Sequence, residues 1–144
     1  SSLMKIKVQK LYENLPFELK YQSPGASGFD CISTRHEMLK PGERFKIPLG
    51  FAIEIPEGFE GQVRSRSGLS FREGIMVIPG TIDSDYRGEV CAIVVNIDYH
   101  TKSIKEGERI AQFIIAPVVR AEFDYVRELS KTERQNNGFG STGV

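Results

Sequence analysis

The stretch RFKIPLGFAIEIP, residues 44–56, decides the fold class. Phe45, Ile47, Leu49, Phe51, Ile53 and Ile55 fill every odd position, while Arg44, Lys46 and Glu54 stand among the even ones. Successive side chains of an extended chain point to opposite faces, so a period of two marks a strand with one buried face. Pro48 and Gly50 predict a bend or bulge that divides the stretch into two pieces. Cys91, Ile93, Val95 and Ile97 repeat the pattern and are expected on a buried face, and Phe113-Ile114-Ile115 reads as a more buried strand. Turn signals separate the pieces at Pro24-Gly25, Pro41-Gly42, Glu57-Gly58, Pro79-Gly80 and Glu106-Gly107. Many short strands punctuated this regularly predict an all-β fold, a sandwich or jelly roll. One short helix is expected over residues 67–74, with Ser67 as N-cap and Gly74 as its stop.

The 144 residues suffice for one compact domain, and 40% hydrophobic with 26% charged residues is a globular composition. Nineteen basic and 19 acidic residues cancel. Binding to nucleic acid through its phosphates usually requires a basic excess, so no nucleic-acid partner is expected. No apolar run approaches the ~18 residues of a membrane span, and no apolar leader opens the chain. A cytoplasmic protein without a membrane partner is expected. Cys31 and Cys91 lie in apolar stretches and read as buried free thiols. His36 and His100 are far from each other and from any cysteine cluster, so no zinc-ligand spacing exists.

Three stretches carry residues suited to chemistry. Arg64-Ser65-Arg66-Ser67-Gly68 offers guanidinium forks, hydroxyls and a close backbone approach, all suited to phosphate; a solvated basic turn has the same composition. Gly80 through Val90 reads as a hairpin, with Thr81-Ile82 on one side and Glu89-Val90 on the other. In it Asp83 and Asp85 are candidates for a base and a metal ligand, and Tyr86 for a flat platform, against an ordinary acidic turn. The tail from Arg134 is polar and glycine-rich with one aromatic, Phe139. Gly138-Phe139-Gly140-Ser141-Thr142-Gly143 spells G-x-G-x-x-G, yet no βαβ unit surrounds it. It reads as an arm closing over phosphates or as a disordered tail. There is no G-x-x-x-x-G-K-[ST] loop and no zinc-deaminase signature, which excludes P-loop hydrolysis and zinc-dependent base deamination.

In order along the chain, five segments resemble the five motifs of the trimeric dUTPase family. They are Ala26-Ser27-Gly28-Phe29-Asp30, Arg66-Ser67-Gly68-Leu69-Ser70, Gly80 to Glu89, Gly107-Glu108-Arg109-Ile110-Ala111-Gln112, and the tail from Arg134. Together they cover residues 26 to 143. The tail departs from the family where Gln135 and Asn137 replace usual glycines, and Ser70 replaces a common alanine. Met76 to Gly80 lacks the asparagine-containing insertion of many bacterial members.

The resemblance implies a jelly-roll-like β-clip over residues 1–133 and a flexible arm over 134–144 that closes on a neighbouring active site of a homotrimer. It implies hydrolysis of dUTP to dUMP and pyrophosphate, with Mg²⁺ as cofactor, keeping uracil out of DNA and supplying dUMP for thymidylate synthesis. Asp83 would be the general base for a water attacking the α-phosphorus, and Gln112 would orient that water. Arg66, Ser67, Gly68 and Arg134 would hold the phosphates, with Gly140, Ser141 and Thr142 closing over them. Asp30 would face the waters of the magnesium ion. Main-chain groups from Gly80 through Thr81 to Ile82 would read the uracil edge, Tyr86 would exclude a 2′-hydroxyl, and Phe139 would stack on the base. A dCTP deaminase of the same fold and a dUTP-binding regulatory protein are the alternatives.

Overall fold

The computed structural model describes residues 3–14 and 18–140. Among them the chain runs through β1 (Lys7–Lys10), β2 (Gly28–Ile32), β3 (Glu37–Leu39), β4 (Arg44–Pro48), β5 (Phe51–Glu54) and β6 (Phe59–Arg64). The helix α1 (Ser67–Glu73) follows, then β7 (Ile75–Ile78), β8 (Gly80–Ile82), β9 (Cys91–Asn96), β10 (Lys102–Ile104) and β11 (Arg109–Pro117). The strands form four antiparallel sheets, ordered β2-β11-β6-β8, β4-β9-β7, β1-β5 and β10-β3, and none closes into a barrel. This is the expected all-β fold with one short helix.

Residues 44–56 behave as their alternation predicts. Ile47, Leu49, Phe51, Ile53 and Ile55 are buried and Phe45 packs against them. Gly50, with φ of 87°, takes a left-handed conformation that L side chains rarely adopt, and there the chain passes from one sheet to another. β4 pairs with β9 and β5 with β1, so this one stretch stitches two sheets over a common core. At the centre Phe113 of β11 stacks on Phe29 at 5.2 Å and meets Phe51 edge-on at 6.0 Å.

Cys31 is a buried free thiol as expected, but Cys91 is only half-buried. Three further expectations are corrected. In β9 the inward face is the even set, Ala92, Val94 and Asn96, while Ile93 and Ile97 are exposed at 40% and 59%. Asn96 is tolerated inside because its amide donates to the Leu39 and His100 carbonyls, at 2.9 and 2.8 Å, and its oxygen accepts from Asp98 N–H. The odd apolar set therefore faces outward.

Residues 80–90 do not close as a hairpin. β8 pairs with β6, whereas Val90 bonds to Phe51 and Leu49 across the corner at Gly50. Between them a tight turn links Tyr86 N–H to the Asp83 carbonyl at 3.1 Å.

The helix N-cap is Arg66, extended at φ −90° and ψ 128° with no side-chain cap bond, and Ser67 is already helical. An ion pair holds Arg66 against β2, so the chain turns into the helix only after it. Gly74 stops the helix as expected, at φ 64°, donating to the Ser70 carbonyl.

Candidate active site

The middle of the four-stranded sheet brings residues of the first, second and fourth motifs together. Gln112 on β11 stands opposite Asp30 on β2 and Arg64 on β6, so these side chains share one face. Their neighbours Phe29, Val63 and Phe113 form the core on the other. Asp30 accepts from Arg66 Nε at 3.1 Å and lies 3.9 Å from Arg109 Nη1. Arg66 Nη1 also donates to the Arg109 carbonyl at 3.2 Å. A half-buried carboxylate thus sets the direction of two guanidinium groups. Both line a cleft of about 580 Å³ together with Arg72 and Lys102.

Gln112 is held through its amide nitrogen. Its Nε2 donates to the Ser65 carbonyl at 2.9 Å. Its Oε1 lies where a side chain on Gly28 would intrude, 2.9 Å from the Cβ position. Ser65 accepts from Val77 N–H at 2.8 Å and lies 3.2 Å from the Val77 carbonyl, tying the loop before α1 to β7. Ser67 is exposed and Gly68 half-buried at the start of α1. Arg72, one turn on, folds its guanidinium back to 2.9 Å from a Cβ placed on Gly68.

Asp83 is elsewhere in the subunit. β8 forms the far edge of the same sheet, with Ile82 opposite Gly61 and Gly61 opposite Ile115. Asp83 therefore stands level with Ala116, four residues along β11 from Gln112 and two strands across. With about 3.3 Å per residue and about 4.8 Å per strand, the two Cα atoms lie about 16 Å apart. Asp83, exposed, lines a separate groove of about 600 Å³ with Glu57, Glu60, Asp85, Arg87 and Arg120. Gly80 and Ile82 are half-buried and Thr81 exposed on β8, and the Tyr86 hydroxyl donates to the Glu89 carbonyl at 2.8 Å.

Val118 N–H bonds the Gly58 carbonyl at 2.9 Å, and beyond it residues 119–137 are exposed. Arg134 Nε donates to the Asn137 carbonyl, closing a turn, and Gln135 adopts φ of 53° with its side-chain oxygen on Thr132 N–H. Gln135 is one of the two positions where the tail departs from the glycines of the motif it resembles, and its N–H also donates to Thr132 Oγ1 at 3.1 Å. Phe139 is fully exposed, with φ of 50°, and Gly140 has φ of 82°. Ser141 and Thr142 lie outside the described residues.

Sequence reasoning named Asp30, Arg66 and Gln112 but gave no role to Arg109 and Glu89, which lay inside quoted motifs. Ser65 was quoted in the 64–68 stretch for its hydroxyl, and nothing in the sequence marked its bonds to Gln112 and Val77.

A family profile described as dUTPase matches residues 18–143. The chain belongs to the dUTPase family. A Nautilia profundicola protein named deoxyuridine 5'-triphosphate nucleotidohydrolase is 51% identical over 142 residues, 97% of this chain and 99% of that one. A mutant dUTPase of Staphylococcus bacteriophage 80alpha, solved with dUpNHpp, superposes with a TM-score of 0.91 at 28% identity over 97% of this chain and 99% of that one. A mutant dUTPase of phage phi11 of S. aureus, studied for its coordination of a structural Mg(II) ion, gives 0.81 at 26% identity over 87% and 98%.

Magnesium is the cofactor expected in the dUTPase family, and the donors beside Asp30 suit it. Among the described residues no three His, Cys, Asp or Glu side chains cluster to hold a metal. Asp30 supplies one carboxylate, already paired with Arg66. That suits a magnesium ion bringing water and phosphate oxygens as most of its ligands, not a protein cage.

Proposed function

We propose that this dUTPase-family chain hydrolyses dUTP to dUMP and pyrophosphate in sites shared among three subunits. The observation that carries the reaction is the family match across residues 18–143, which spans every motif with chemistry. Asp83 takes the proton of the water that attacks the α-phosphorus, and Gln112 orients that water. Arg66, Ser67, Gly68 and Arg134 hold the phosphates, with Gly140, Ser141 and Thr142 over them. Magnesium, when bound, neutralises phosphate charge, and Asp30 faces its waters. Positioning and charge neutralisation supply most of the rate, and the base adds about 10²–10⁴-fold.

Two observations support the shared site. Asp83 and Gln112 cannot meet on one water across about 16 Å within a subunit. Apolar surface is also left uncovered: Met76, Ile78 and Ile93 on the outer face of the β4-β9-β7 sheet, and Val119, Phe123, Tyr125 and Leu129 along the segment before the arm. A solitary soluble subunit rarely exposes so much.

Specificity follows from three contacts. Main-chain groups of Gly80, Thr81 and Ile82 pair with the uracil edge, and Phe139 stacks on the base when the arm closes. Tyr86 sits against the deoxyribose and leaves no room for a 2′-hydroxyl. A site built to hydrogen-bond the right base rejects the wrong one by on the order of 10⁴, because buried groups are left unpaired. No helix is long and apolar enough to cross a membrane, and a cytoplasmic setting suits a nucleotide substrate. The test is hydrolysis in heavy-oxygen water. Label entering dUMP alone supports attack at the α-phosphorus, and label in pyrophosphate contradicts it.

A further inference from the structure

The Tyr86 ring is only partly covered, at 42% exposure, yet it is tied to the core. Its hydroxyl donates to the Glu89 carbonyl at 2.8 Å. That carbonyl is itself held in place from both sides. The Glu89 carboxylate accepts from Gly50 N–H at 3.1 Å and from the Tyr12 hydroxyl at 3.3 Å. The next residue, Val90, bonds the Phe51 carbonyl and Leu49 N–H, each at 2.9 Å. The phenol therefore reports the position of the corner at residues 49–51, where two sheets meet.

Gly88 lies directly against this ring. A Cβ there would stand 2.5 Å from the Tyr86 hydroxyl oxygen, 2.7 Å from Cζ and 3.0 Å from Cε1. Heavy atoms in contact sit about 3.5–4.0 Å apart, so the ring and any side chain at residue 88 exclude each other. The backbone does not require glycine here, because Gly88 is absent from the residues with positive φ. What residue 88 supplies is the missing side chain.

We propose that Gly88 is a positioning residue for sugar selection: its bare backbone lets the Tyr86 ring lie over it with the hydroxyl on Glu89, and this fixes the wall that excludes a 2′-hydroxyl. The inference rests on the reading of Tyr86 as the deoxyribose wall. A side chain at residue 88 would push the ring by about 1 Å, a misplacement of the size that costs up to 10²-fold in a positioned site. A ring displaced in this way no longer stands where its bond to the Glu89 carbonyl sets it.

The experiment measures kcat/KM for dUTP and for UTP on the full chain, for wild type, Gly88→Ala, Tyr86→Ala and the double variant. Gly88→Ala should lower the dUTP-to-UTP ratio about tenfold or more, with the dUTP loss carried mainly in KM. Tyr86→Ala should lower it at least as far. With the ring already gone, adding Gly88→Ala should change the ratio by less than about twofold. A wild-type ratio in Gly88→Ala beside a lost ratio in Tyr86→Ala overturns the Gly88 inference and leaves the Tyr86 reading standing. An unchanged ratio in Tyr86→Ala overturns that reading itself. A Gly88→Ala effect of equal size without the ring means the effect does not pass through Tyr86, and it also overturns the inference. Should Gly88→Ala alone fail to fold, the double variant, free of the collision, is expected to fold, and its failure would count against the inference too.

Discussion

Mixing two inactive variants, Asp83→Asn and Arg66→Gln, is expected to restore about a quarter of wild-type turnover. The strand register sets the logic. Asp83 lies beyond β8 at one edge of the sheet, while Arg66 follows β6 at its other end, beyond the level of Gln112. By the same strand spacings Asp83 lies about 16 Å from Gln112 and farther still from Arg66, which favours drawing the base and the phosphate clamp of one site from two subunits. Each variant alone should lose about 10²-fold or more, a barrier increase of about 3 kcal/mol. Neither side chain belongs to the core, and Arg109, 3.9 Å from Asp30, offers it a second cation when Arg66 is replaced.

In randomly mixed trimers a site has about one chance in two of a sound Asp83 and, independently, about one in two of a sound Arg66. Turnover is read after refolding the two together, with each refolded alone as control and mixed trimers verified by native mass spectrometry. Turnover at the level of either parent, in the presence of mixed trimers, would refute the shared-site reasoning.

Truncation after Glu133 should remove most activity and shift the melting temperature by less than about 2 °C, because residues 134–137 are exposed and the Arg134 bond to the Asn137 carbonyl is local; calorimetry and turnover on one preparation decide it. Phe113→Ala should cost about 3–5 kcal/mol in urea denaturation, since that fully buried ring fills the space between Phe29 and Phe51. Burial, aided by the charge of Asp30, pushes the Cys31 thiol up to about 12, so it should resist thiol reagents in the native protein near neutral pH. The unfolded thiol ionises near pH 8.5 while the folded one keeps its proton, so this group's stabilisation is complete below that value and is lost as pH rises toward 12. The loss is about 1.4 kcal/mol per pH unit, and Cys31→Ala should flatten that slope in urea melts at pH values above about 9.

Much of the fold was legible because alternation is a local signal. The odd residues of 44–56 and the break at Gly50 gave two strands and the corner between them. β9 misled the same reasoning, because both of its faces carry apolar residues: Ala92 and Val94 inside, Ile93 and Val95 outside. Only the pairing with β4 and β7 decides which face is buried, and the one polar inward residue, Asn96, finds its partners in distant carbonyls that no sequence window contains. The turn chemistry of 80–90 was readable, but its strands' partners were not, since β8 chooses β6 through long-range pairing. At the site, residue types pointed to Arg66, and Asp30 and Gln112 came only through the family resemblance, while the Asp30–Arg66 ion pair and the Ser65 bridge emerge only from three adjacent strands in register. Tyr86 was visible as an aromatic in a polar turn; that Gly88 makes room for it was not.

The central claim is tested most directly by following pyrophosphate and ammonia release from dUTP, dCTP, dTTP and UTP, side by side, with magnesium present. The account predicts pyrophosphate from dUTP, with rates for the other three lower by about 10²-fold or more, and no ammonia from dCTP. Ammonia from dCTP, or equal pyrophosphate release from UTP and dUTP, would contradict it.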